Sequence, residues 1–130
     1  MEKPKKCISV EGAKALQTKW QVSRGKDIDL AQGYQDKREF WYSVEELQHY
    51  LNYVKLKSAE QKVKNPGIRI YFGAYHKSSI KKSYATVFLA PTKERSAPAD
   101  GEDETSVHAE NNYDIEPLNE SSGGMPPFTY

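Results

Sequence analysis

Apolar residues in this chain gather into four stretches, two with helical spacing and two with strand character, and polar segments rich in charge, Gly and Pro separate them. Val10, Ala13, Leu16 and Trp20 fall on one helical stripe, with Ser9 placed to cap the start and Glu11 near the positive end of the macrodipole. The spacing predicts a helix over 10 to 22, weakest at Gly12, which costs about 1 kcal/mol relative to Ala. Residues 23 to 37 carry Gly25 and Gly33 and hold no sustained period. They read as a long loop whose one candidate element is a short strand around Ile28 to Leu30.

The second helical stretch is the best marked. Ser43 followed three residues later by Glu46 makes a capping box, and Tyr42 is placed to staple onto Leu47. A short strand over 39 to 42 then feeds a helix from 44 to about 62. Its inward stripe is Val44, Leu47, Leu51 and Val54, widened by Tyr50, and Leu56 points away. Asn65, Pro66 and Gly67 end it.

Residues 68 to 75 alternate, with Ile68, Ile70, Phe72 and Ala74 on one side and Arg69, Tyr71, Gly73 and Tyr75 on the other. A last strand over 84 to 90 stops at Pro91, and the polar residues between complete a long hairpin. A crossover from 39–42 through the helix to 68–75 makes those two strands parallel. The expected fold is α+β: two helices on a small mixed three-stranded sheet, in the order α-β-α-β-β.

Charge then divides the chain. All 19 Lys and Arg lie at or before Arg95 with 10 acidic residues, a formal +9, whereas residues 96 to 130 hold 8 acidic residues and no Lys or Arg. In that tail Val107, Tyr113, Ile115, Leu118, Met125, Phe128 and Tyr130 return less by burial than ordering 35 residues costs. The expected organisation is a domain over 7–92 and a flexible acidic tail over 93–130 that is disordered alone, so that the body folds without residues 96 to 130.

No apolar run approaches a membrane span, the single Cys7 has no internal partner, and the lysines near the start lack a following apolar core. These features point to the cytoplasm.

WYSVEELQHYLNYVK, GIRIYFGAY and TVFLAPT, spread over roughly residues 38 to 93, resemble a group of small uncharacterised bacterial proteins, chiefly of Bacteroidetes. The resemblance implies a bacterial cytoplasm. It implies no activity and no site residues.

Candidate chemistry is sparse. Cys7 near His49 or His76 would be needed for a thiol nucleophile, and a terminal cysteine lacks a rigid setting. His49, His76 and His108 lack second ligands at zinc spacing. Asp27 with Asp29 and Glu45 with Glu46 read as a solvated loop pair and a helix start. GAYHKSS lacks the second Gly of a phosphate loop. No cofactor or metal is called for, and an enzyme would need a site of unrecognised pattern.

Binding is better supported. If both helices cover the Ile68, Ile70 and Phe72 side, then Arg69, Tyr71 and Tyr75, rimmed by Lys77, Lys81 and Lys82, form an aromatic, basic platform suited to nucleic acid. A helix on each side would bury Tyr71 and Phe88 instead. In the tail, Tyr113, Ile115, Leu118 and Phe128 are candidates for segments that order against a partner. The reading is a non-catalytic, adaptor-like protein-interaction domain, with a nucleic-acid-binding module as its alternative.

Overall fold

The computed structural model describes residues 1–95 and 109–130. The chain forms two compact units, one of Met1–Glu39 with Gly123–Tyr130 and one of Phe40–Ser122. Among the described residues no helix is long and apolar enough to cross a membrane.

In the first unit, α1 spans Val10–Trp20, and the Ser9 hydroxyl accepts from the Gly12 amide at 3.0 Å. The helix does not stop near residue 22. It passes through a π turn at Gln21–Gly25 into α2, Lys26–Gln32, where sequence spacing suggests a loop. A π turn inserts one residue and rotates all later side chains by roughly 100°, so no single 3.6 period spans residues 10 to 32. Gly25 is buried there, with the Trp20 carbonyl 3.2 Å from where a Cβ would sit. Gly33, at φ 81°, ends the helix in the left-handed conformation that only glycine adopts freely. Asp29 is not a solvated loop residue. Its carboxylate accepts the Asp36 amide at 2.8 Å and pairs with the Arg38 guanidinium at 3.2 Å, which fastens the returning chain to the helix end.

In the second unit, the helix α3 spans Val44–Glu60, and the Ser43 hydroxyl accepts from the Glu46 amide at 3.0 Å. Before it lies β1, Phe40–Trp41, and after it come β2, Gly67–Ala74, and β3, Ala85–Glu94. Two further strands follow from the region read as tail: β4, Ala109–Asn111, and β5, Ser122–Gly123. The sheet is not mixed. β2, β3 and β4 form an antiparallel sheet in that order, and β1 pairs with β5 in a separate two-stranded ribbon. Among the described residues β2 has no parallel neighbour, because β1 is only two residues long and joins the ribbon instead.

The core joins Tyr50 and Val54 of α3 to Leu89 and Ile115, with Tyr42, Leu47, Ile68 and Leu118 around it. Ser58 completes the buried stripe, Leu56 is exposed as its position on the helix predicts, and Val44 in the first turn is exposed rather than inward. Ile115 is 2% exposed. The flexible tail over 93–130 is therefore corrected for residues 109–122, which supply a sheet strand and a core residue; the expectation for residues 96–108 lies outside the described residues. Two backbone bonds tie Leu118 to Leu89, at 2.8 and 3.0 Å. Pro91, read as a strand stop, sits fully buried within β3. The Leu89 amide and the Pro91 carbonyl both bond towards the tail, so the donor that proline lacks falls where residues 113 to 117 loop away from the sheet.

The helix-covered side also differs from expectation. Ile68 packs on the core, but Ile70 and Phe72 are 66% and 76% exposed. The helix centres on β3 and the tail segment and leaves the outer strand β2 partly uncovered. Phe72→Ser is therefore expected to lower stability by less than about 1 kcal/mol, against about 2 kcal/mol or more for a fully buried apolar residue cut to Ala. Chemical denaturation measures both, and a loss at Phe72 as large as at Val54→Ala would contradict the exposed placement.

Candidate functional site

The other face of the sheet carries the residues that the sequence singles out. Tyr71 and Phe88 lie directly opposite each other on β2 and β3, and their rings stack with centroids 5.2 Å apart and planes 21° from parallel. Arg69 stands opposite Ala90. That side chain is too short to block the way to β4. Arg69 donates through Nη1 to Asn111 Oδ1 at 2.7 Å and through Nη2 to the Ala109 carbonyl at 3.1 Å. The Asn111 amide donates in turn to the Tyr71 hydroxyl at 2.8 Å. This bond, aided by Arg69, holds the Tyr71 phenol below its ordinary pKa.

Neither reading of this face from sequence is right in full. Among the described residues no helix buries Tyr71, and the face is not an open basic platform, because Arg69 is engaged by the strand that follows β3. What remains is a groove of about 440 Å³ with Tyr71 and Phe88 in its lining. Ala90 and Pro91 of β3 continue the floor, and Asn111 at the end of β4 with the segment after it contributes the wall, including Tyr113, Glu116 and Pro117. The wall is shaped by Asn112, 2% exposed, whose side chain accepts the Asp114 amide at 3.1 Å and donates to Gln61 Oε1 at 2.8 Å. Tyr113 is 90% exposed at the rim. Among the described residues Glu116 is the one charged residue in the lining.

Tyr75, Lys81 and Lys82 gather elsewhere, in a hollow of about 620 Å³ at the tip of the β2–β3 hairpin, together with His76, Ile80 and Tyr84. Lys77 is exposed nearby in the chain and lines neither site. The hairpin is held by the Tyr75 amide on the Tyr84 carbonyl at 3.0 Å, and by the Ser78 hydroxyl, which accepts the Lys81 amide at 3.0 Å. The Tyr75 hydroxyl donates to Asn119 Oδ1 at 2.8 Å.

Of the four tail candidates, Ile115 and Leu118 are spent on the protein's own core and are not available to a partner. Tyr113 and Phe128 are exposed, the first on the groove and the second in the other unit. Asn111, Glu116 and Pro117 went unrecognised in the sequence. Glu116 and Pro117 lie in YDIEPLN, whose apolar residues mark a segment able to order, whereas Asn111 falls in the polar stretch before it and carries no such signal. Cys7 is exposed, and no cluster of three His, Cys, Asp or Glu that could hold a metal occurs among the described residues.

No family model matches the chain, and no match is found among curated proteins or solved structures.

Proposed function

We propose that this chain is a non-catalytic interaction module that takes an extended segment of a partner protein into the groove beside Tyr71 and Phe88. The observation that carries this reading is the stacked aromatic pair in an open trough, walled by an ordered segment with Tyr113 at its rim. Aromatic-lined grooves hold extended, proline-containing peptides well because such peptides lose little entropy on binding. Glu116 adds charge selection: the partner segment carries a Lys or Arg beside its apolar or proline residues. The setting we attach to it is a bacterial cytoplasm, supported by the resemblance noted from the sequence and by the single cysteine.

The test is a displayed library of extended peptides screened against the folded chain. Selected sequences are expected to pair a basic residue with proline or an aromatic. Tyr113→Ala is expected to weaken them by about tenfold or more, and Glu116→Gln is expected to erase the basic preference, both without moving the melting temperature. If selection yields nothing above background, or if Tyr113→Ala binds every selected peptide as tightly as the parent, the groove is not the binding site.

A further inference from the structure

The hairpin tip carries a second, independent inference. Residues 61–93 contain seven Lys or Arg and no Asp or Glu, and the fold brings two of those lysines, Lys81 and Lys82, to one hollow with Tyr75 and Tyr84. The lysines are exposed, Tyr75 is 48% exposed and Ile80 87%. Ser78 and the Tyr75–Tyr84 backbone bond fix the loop that presents them. The tail reaches this hairpin through Asn119, a neutral side chain that orients the Tyr75 hydroxyl; Glu120, exposed, follows it in the chain.

We infer that this hollow binds a nucleobase joined to phosphate, with a tyrosine ring stacking on the base and Lys81 and Lys82 on the phosphates. Sheet-face residues Arg69 and Tyr71 take no part, which separates this site from the groove. Two cations beside two aromatic rings, in a stretch free of acidic residues, match a ligand that is itself anionic along its backbone and flat at its bases. A bare polyanion would use the lysines and leave the rings idle.

The chemistry is common to a free nucleotide and a single strand, and fluorescence anisotropy of the full chain with a labelled oligothymidylate separates them. Binding is expected at about 50 mM salt and should weaken steeply towards about 200 mM. Tyr84→Leu keeps apolar bulk and removes the ring, and is expected to weaken binding roughly five- to 150-fold. Lys81→Ser and Lys82→Ser should each lower the steepness of the salt dependence by about 0.7. Full displacement by ATP would assign the site to a nucleotide, and displacement only by unlabelled strand would assign it to single-stranded nucleic acid. Either result supports the inference.

Absence of binding at low salt overturns it. So does displacement by inorganic polyphosphate as effective as by unlabelled strand, together with an unchanged Tyr84→Leu. Should Tyr84→Leu fail to fold, the two exposed lysines still decide the matter, since an unaltered salt dependence in both variants excludes the hollow. Tyr113→Ala is expected to leave this binding untouched, so failure here and failure of the peptide groove are read separately.

Discussion

Ending the chain at Arg95 is expected to unfold the sheet-containing unit, leaving no cooperative melt. Sequence reasoning anticipated the opposite. Residues 109–122 supply β4, the two backbone bonds between Leu118 and Leu89, and Ile115, one of four residues at the centre of the core. They also supply the Glu116 carbonyl, which accepts the Tyr50 hydroxyl at 2.8 Å. The buried apolar residues of the described chain, Tyr50, Val54, Val87, Leu89, Ala90 and Ile115, all belong to this one unit. A domain this small has little stability to lose. The single substitution Ile115→Ala is expected to cost about 2 to 5 kcal/mol, whereas Tyr113→Ala beside it should cost less than about 0.5 kcal/mol. Circular dichroism during thermal and urea unfolding measures all three. A truncated chain that melts like the intact one would overturn the tail's place in the core.

The second large effect is expected in alkali. Burial, reinforced by neighbouring Tyr53, pushes the Tyr50 phenol from 10.0 up to about 12. A group whose pKa is raised in the folded state contributes its full stabilisation below the unfolded value and loses it as pH climbs through the folded one. Stability should therefore fall between about pH 10 and about pH 12 as the unfolded chain releases a proton that the folded chain retains. The Tyr71 phenol acts in the opposite sense, being shifted down, but it is half-exposed and water weakens the effect. Tyr50→Phe removes this proton. It also leaves the Glu116 carbonyl without its hydroxyl donor, while the Leu89 carbonyl keeps the Leu118 amide. The variant is expected to be about 1 to 3 kcal/mol less stable near neutrality and to show a flatter alkaline decline. An equally steep decline in the variant would assign the effect to other groups.

What the sequence made legible follows from how local each cause is. The capping box at Ser43, the helix it opens and the alternation that makes β2 are set within a few residues, and these elements form where the pattern places them. The continuation of the first helix was hidden by the π turn, because a one-residue insertion erases the period while leaving the backbone helical. The tail was misjudged for a different reason. Its ordering cost was set against all 35 residues and only its apolar side chains were credited, which left out the backbone pairing of residues 109–111 and 118 with the edge of β3. Backbone bonds and Asn112, a polar residue, do much of that joining.

The candidate site was half legible. Arg69, Tyr71 and Tyr75 were marked by alternation and Lys77, Lys81 and Lys82 by charge, but a single platform was expected, with the first three on its face and the lysines at its rim. The structure divides all but Lys77 between a groove and a hairpin tip, since the partner of Arg69 and Tyr71 is Asn111, some forty residues on. No period or spacing in β2 reports a contact at that separation.

One consequence follows from the order of the units along the chain. Both termini belong to the helical unit, and Phe40–Ser122 is inserted between its two pieces. A pull applied at the two ends loads the helical unit first. Tension enters the inserted unit only at Phe40 and Ser122, the two ends of its chain, and reaches Tyr50 and Ile115 only through the residues between them. Mechanical rupture should therefore proceed from the outside in, with the best-packed region the last to feel the load.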